Sequence, residues 1–275
     1  MKIELIETGF FHADGGAMFG ATPKTAWQRR YPSDEANGCV LAMRSMLITD
    51  DDGRITLIDT GAGSKHLKSF AYYRFFNLTN LSEVLATRNI LPEQVTDVVL
   101  THLHFDHCGC VTHCDDTGGG TLSVTFPNAR HWVGRAQWEN FLSPHALEKD
   151  SYFPEDMMPV EDAGLLRLLA EDTMLSPSVS LRLYDGHTPG QIVPVVHTSE
   201  RTFVFAGDVI PLAACISPAW ISAYDTFPLT SYNEKLRLLE EAATENQTVI
   251  FCHDACIPCG EVRKAGKHFL INKAP

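Results

Sequence analysis

The chain has 275 residues, 44% of them hydrophobic and 20% charged, and its 22 Lys+Arg against 34 Asp+Glu leave a net charge of −12. That is enough apolar material for one large core, and a mean hydropathy of −0.08 excludes intrinsic disorder. A surface this acidic, with a pI near 5.4, repels a phosphate backbone, so a small-molecule substrate is expected and a nucleic-acid partner is not.

From the N-terminus, Met1 to Glu7 alternates polar and apolar residues and predicts a first strand. It lacks the apolar run of a secretory signal, and no stretch reaches the roughly 18 uninterrupted apolar residues of a membrane span. A cytoplasmic protein without a membrane partner is therefore expected. Phe10 to Gly20, followed by Trp27 and Tyr31, is rich in aromatics and glycine without strand alternation. It reads as a long irregular loop forming a hydrophobic wall beside a site, or else plugging a sheet edge or making the contact of a homodimer. Apolar runs of strand length then recur at Ile55–Ile58, Val98–Leu100, Leu181–Tyr184, Phe203–Ala206 and Val249–Phe251. Asn80 with Glu83 and Ser231 with Glu234 have the spacing of helix-opening capping boxes. Asn233 to Glu245 carries Leu236, Leu239 and Ala243 on one helical face, and Gly164 to Glu171 has a shorter run of the same kind. Gly118-Gly119-Gly120 lacks a following Lys-Ser/Thr and reads as a turn rather than a phosphate loop. Strands and helices interleave without repeats or low-complexity linkers, which predicts one α/β domain over residues 1–275.

The chemistry concentrates where the second of those runs ends. In Thr101-His102-Leu103-His104-Phe105-Asp106-His107, three imidazoles and a carboxylate appear within six residues, a string that chance produces in about one such chain in a thousand. So many ligand-type groups beside a buried strand have little reason to cluster except a cation. His187, Asp208 and His253 follow three further strand-like runs, and strand ends gather at one sheet edge in open α/β architectures. Seven candidate ligands, His102, His104, Asp106, His107, His187, Asp208 and His253, are too many for one tetrahedral ion and suit two ions sharing a carboxylate. Zinc is the first choice; iron and manganese take the same donors. The other histidines, among them His131, read as core or surface. Of the eight cysteines only Cys256 and Cys259 have CxxC spacing, so reduced, part-buried thiols are expected rather than a thiolate metal site.

His102-Leu-His104-Phe-Asp106-His107, preceded by Ile58-Asp59-Thr60-Gly61 and followed by Gly186-His187-Thr188-Pro189-Gly190, Gly207-Asp208 and His253, resembles the metallo-β-lactamase superfamily of hydrolases. The resemblance runs from about Leu5 to His253 and implies a four-layer αββα sandwich with two metals at the edge of the inner sheets. It implies that His102, His104 and His187 hold one metal, that Asp106, His107 and His253 hold the second, and that Asp208 bridges. Asp59 is similar in position to the family's first-motif Asp, which supports the site from behind the ligands. The 45 positions from Asp208 to His253 (253 − 208) contain Ala223-Tyr224-Asp225-Thr226. This resembles the branch holding N-acyl homoserine lactonases and organophosphate hydrolases, in which a Tyr or Asp of that loop faces the substrate.

The expected activity is thus hydrolysis of a lactone or other ester by a metal-activated hydroxide, with Asp106 also moving the proton and Tyr224 donating to the developing oxyanion. Alternatives on the same scaffold are a mononuclear iron thiol or persulfide dioxygenase, with Cys108 or Cys252 near the metal, and a glutathione thioester hydrolase. For the latter the 22 residues after His253 (275 − 253) are short. A non-catalytic sensor that keeps the site for structure is a third class.

Overall fold

The computed structural model describes residues 1–114 and 121–273; the expected Gly118–Gly120 turn lies outside them. The chain divides into two compact units, Met1–Phe10 with Met43–Ala170, and Phe11–Ala42 with Glu171–Pro275.

The first unit is organised on a six-stranded sheet. Its strands are β1 (Lys2–Asp14), β2 (Gly38–Thr49), β3 (Ile55–Ile58), β4 (Asp97–Val99), then, after a separate two-stranded pair β5 (Thr112–Cys114) and β6 (Leu122–Val124), β7 (Arg130–Gly134) and β8 (Leu166–Leu169). The order is β1-β2-β3-β4-β7-β8, with β2 and β3 antiparallel and β3, β4, β7 and β8 parallel. Leu57, Val98, Leu100, Phe126 and Val133 are fully buried in its core, as continuous apolar parallel strands require. The wholly buried β4 therefore cannot drift, and the residues that follow it start from a fixed point.

Helices of this unit stop where their caps dictate. Asn80 accepts from the Ser82 and Glu83 amides and opens the helix Leu81–Ala86, as its spacing predicted. The predicted helix over Gly164–Glu171 is instead β8. The helix lies one segment earlier, at Pro154–Asp162 with proline in its first turn, and Gly164 at φ +70° reverses the chain after it. Leu166 to Leu169 then pair in parallel with His131 to Gly134, which overrides their helical propensity.

In the second unit the strands are β9 (Thr173–Ser176), β10 (Val179–Tyr184), β11 (Gln191–His197), β12 (Thr202–Phe205), β13 (Thr248–Ile250), β14 (Cys259–Ala265) and β15 (His268–Lys273). They form one sheet in the order β15-β14-β13-β12-β11-β10-β9, antiparallel except for the parallel pair β12 and β13. A helix of 17 residues, Pro228–Thr244, buries Leu238, Leu239 and Ala242 within a core that includes Val193, Val204, Val249 and Phe251. It starts three residues before the predicted Ser231, because Pro228 fits the first helical turn with Phe227 ahead of it.

The irregular loop expected over Phe10–Gly20 is a correction. The first strand continues to Asp14, whose carboxylate accepts from the Gly16 and Ala17 amides and caps a short helix, Gly15–Phe19. Phe19 stacks on Trp27 with centroids 4.8 Å apart, and both are fully buried with Tyr31, whose hydroxyl donates to the Val40 carbonyl at 2.6 Å. These aromatics are core and do not make an open wall.

His131, fully buried in β7, donates from Nδ1 to the Ala129 carbonyl at 3.1 Å. Burial pushes its pKa from 6.5 down to about 4. The folded state thus binds this proton less well than the unfolded chain does. The stability it contributes is intact above the unfolded pKa and falls away as pH drops from 6.5 towards 4, by roughly 3 kcal/mol in all. Urea unfolding of wild type and His131→Gln between pH 7 and 4.5 checks this. The advantage of wild type should shrink as pH falls, and a difference independent of pH refutes the assignment.

Candidate metal centre

Four of the seven predicted ligands lie together in the first unit. The chain leaves β4 through Leu100 and Thr101, presents His102 and His104, and turns into the short helix Phe105–Cys108 that carries Asp106 and His107. Asp59, just beyond β3, organises this segment. It adopts φ +55°, a left-handed conformation that aspartate tolerates better than most residues. Its Oδ1 accepts from the Thr101 amide at 2.7 Å, and its Oδ2 accepts from the Thr101 hydroxyl at 2.8 Å and from His107 Nδ1 at 2.8 Å. The Thr60 amide donates to the His107 carbonyl at 2.7 Å. With Nδ1 tied to Asp59, His107 keeps Nε2 for other partners, and that atom lies 3.8 Å from an Asp106 oxygen.

His102 and His104 turn their nitrogens towards each other, Nε2 of the first 3.0 Å from Nδ1 of the second, while His102 Nδ1 meets the Thr101 hydroxyl at 3.1 Å. Two imidazole nitrogens this close share a proton or a cation. The rings are buried, which makes an added charge costly unless it is coordinated.

The other three ligands lie in the second unit, and sheet register explains why they meet. Phe205 at the end of β12 and Ile250 at the end of β13 are partners in a parallel ladder, and Asp208 and His253 each follow three residues later. β10 ends on the same edge, since Tyr184 pairs with Gln191 where β11 begins, and His187 sits in the turn between them. Asp208 Oδ2 is 3.4 Å from His187 Nε2, and its Oδ1 is 3.1 Å from His253 Nε2. One carboxylate thus stands between two imidazoles with one oxygen facing each. The far nitrogens are fixed: His187 Nδ1 meets Asp225 Oδ1 at 2.9 Å, and His253 Nδ1 donates to the Ala42 carbonyl at 2.8 Å.

The turn carrying His187 is clamped from the long helix. Glu234 accepts from the Asp185 and Gly186 amides at 2.8 Å each, and the Thr226 amide and hydroxyl both donate to the His187 carbonyl. Gly186 is so close to Ser231 that an added Cβ would sit 2.4 Å from its Cα, so only glycine fits there. Glu234, predicted as half of a capping box, caps this turn instead.

The electrostatics suit a cation. Burial opposes charge on His253, but the adjacent Cys252 sulfur and Asp208 carboxylate outweigh it and raise its pKa well above the usual imidazole value. The His253–Asp208 contact, at 3.1 Å, thus favours a positive charge between ring and carboxylate. Asp208, Cys252 and His253 bring one donor atom each within 4.8 Å. Burial pushes the Cys252 thiol up to about 12, and it donates to Asp208 Oδ1 at 3.2 Å. Burial also raises Cys108 well above the ordinary thiol range. Burial thus holds both sulfurs as thiols rather than thiolates. Cys256 and Cys259 belong to no metal-capable group among the described residues.

Tyr224 lies on the irregular segment before the long helix and is 37% exposed. Its neighbour Asp225 is the residue that holds His187, a role sequence reading missed. The loop was singled out, but a hydrogen bond spanning 38 positions has no local signature.

Imidazole and carboxylate donors gathered at strand ends, with their outer nitrogens tied, define a metal-binding α/β protein. The sequence profile of the Metallo-beta-lactamase superfamily matches residues 44–253, and the chain belongs to that superfamily. An N-acyl homoserine lactonase of Bacillus thuringiensis is 25% identical over 225 residues, 76% of this chain and 79% of that protein. The crystal structure of a probable metal-dependent hydrolase from Staphylococcus aureus superposes with a TM-score of 0.88 at 26% identity, covering 100% of this chain and 98% of the other. AidC, described as a dizinc quorum-quenching lactonase, has a TM-score of 0.80 at 17% identity over 99% and 94% of the two chains. The protein is a metal-dependent hydrolase of the superfamily with its α/β sandwich fold, as the resemblance implied. Among the described residues no helix is long and apolar enough to cross a membrane.

Two outcomes test this geometry. Asp225→Ala frees the His187 ring and should weaken zinc binding by about 10- to 100-fold in a chelator competition; unchanged affinity contradicts the role. A metal bound at His253 would displace the proton that its raised pKa favours, so affinity should rise with pH by up to about tenfold per unit below that pKa, with proton release in calorimetry. Uptake without proton release contradicts it.

Proposed function

We propose that both units act as one metallo-β-lactamase-like domain over residues 1–275. His102, His104 and His187 hold one divalent ion, Asp106, His107 and His253 hold a second, and Asp208 bridges. The observation that carries this reading is Asp208 itself, with one oxygen towards His187 and the other towards His253. Each unit supplies only part of a dinuclear donor set, and the superfamily profile runs through both. The donors suit zinc, with iron and manganese as alternatives. Bound there, such a pair supplies an ionised water near neutral pH and polarises a carbonyl oxygen.

The protein's own groups complete the chemistry of a lactonase or related esterase. Asp106, whose helix orients it beside His107, carries the proton from the attacking water to the leaving alkoxide. Tyr224 donates to the oxyanion, a contribution of about 3 kcal/mol in comparable sites. An acyl or aryl substrate is supported by an aromatic cluster of the first unit that starts at Phe105, between His104 and Asp106 in the chain. Phe105 stacks on Phe70 with centroids 4.0 Å apart and meets Tyr73 and Phe75 at 5.8 and 6.1 Å. Phe70 and Phe105 are buried, and Tyr73 and Phe75 are the partly exposed members of the cluster. The lactonase relatives support the same substrate class. The substrate is a small molecule, with no role for nucleic acid or membrane, and the modest cysteine content suits a cytoplasmic setting.

A panel of lactones, thioesters, aryl esters and phosphotriesters, assayed with zinc-loaded protein, tests the reading. Lactones and esters should turn over. Asp208→Ala should cost at least 100-fold in kcat, and Tyr224→Phe on the order of 100-fold in kcat with little change in KM. Oxygen uptake on a persulfide without hydrolysis of any ester overturns it.

A further inference from the structure

Behind His104 the first unit builds a buried polar network that neither the ligand motif nor the superfamily profile assigns. Gln137 and Asn140 lie one turn apart on the helix Arg135–Leu142, which follows β7 directly, and so face the same way. Gln137 Oε1 accepts from the Leu103 amide at 3.0 Å, inside the ligand motif, and its Nε2 donates to the Tyr152 hydroxyl at 3.2 Å. Asn140 Nδ2 donates to the same hydroxyl at 3.0 Å and to Glu148 Oε2 at 2.9 Å. With two donors on its oxygen, the Tyr152 hydroxyl must direct its own proton outward, and it donates to Glu148 Oε2 at 2.5 Å. That oxygen faces His104 Nε2 at 3.5 Å, and the Tyr152 ring lies 5.1 Å from the imidazole.

Glu148 is 4% exposed, and the hydrogen bonds it receives from Tyr152 and Asn140 come from neutral groups. A carboxylate buried in this way is stabilised best by a positive partner. His104 becomes one when its Nδ1, turned towards His102, shares a cation, because the ring then holds its proton at Nε2 and that N–H becomes more acidic. Asp59 does the same for His107 and Asp225 for His187. We propose that Glu148 is a positioning residue for His104: it fixes the ring rotamer and tautomer that present Nδ1 to a metal and raises the basicity of that atom. Tyr152 and Asn140 hold its carboxylate in place. The inference rests on the reading of His104 as a ligand.

Cobalt(II) titration of metal-free protein, followed by its visible bands and by chelator competition, tests the role without an activity assay. Glu148→Gln keeps an oxygen for Tyr152 and Asn140 but removes the charge. It should weaken one of the two cobalt sites by about 10- to 100-fold and alter its bands, leaving the other site and the melting temperature of the metal-free protein unchanged. Tyr152→Phe, which frees the carboxylate without removing it, should weaken the same site by a smaller factor and reads the role independently should the first variant not fold. Wild-type cobalt affinity and spectrum in a folded Glu148→Gln overturns the proposal, as does a lowered melting temperature with unchanged affinity. His104→Ala separates the two readings. If it loses a cobalt site while Glu148→Gln does not, the positioning role alone fails; if it too binds as wild type, the ligand reading fails with it.

Discussion

An imidazole offers a lone pair to a cation in a fixed direction only when its other nitrogen is occupied, and in this protein four of the five candidate ligand rings meet that constraint through a hydrogen-bonded partner. Asp59 holds His107, Asp225 holds His187, the Thr101 hydroxyl meets His102, and the Ala42 carbonyl takes the proton of His253. Asp59, Thr101 and Ala42 are buried and Asp225 partly so, which limits competition from water for each ring. Without them the rings would be free to rotate, and the clustered donors would be only a costly concentration of buried polarity.

The fold serves that constraint through strand ends. A wholly buried β4 delivers the first cluster, and the in-register parallel pair β12 and β13 delivers Asp208 and His253 at equal distances past their last partners. Neither element carries a ligand itself. The candidate ligands follow closely after the strands, where the backbone is free to turn but its starting point is not. The long helix of the second unit adds a clamp, because Glu234 and the close contact at Gly186 fix the turn from which His187 projects.

Sequence reading reaches the parts of this arrangement whose signal is local. The string from His102 to His107 is legible because four donors fall within six residues, and His187, Asp208 and His253 because each follows an apolar run of strand length. Asn80 was legible because a cap acts on the next three residues. What escapes is set by long-range pairing. Leu166 to Leu169 look helical until the parallel partner at His131–Gly134 is known, and Phe10 to Asp14 look irregular although they continue the first strand. Asp225 and Glu148 are ordinary acids in ordinary loops, and only the fold brings them to His187 and His104, across 38 and 44 positions. Supporting residues are hidden for that reason, whereas ligands advertise themselves by type and spacing.

The central claim is that Asp208 is the shared carboxylate of two ions, and anomalous diffraction from crystals grown with zinc tests it most directly. The account predicts two peaks per chain, one on either side of Asp208, each within about 2.0–2.2 Å of its oxygen and of the histidine nitrogens assigned to it. A single peak, or peaks that leave His187 or His253 uncoordinated, contradicts it.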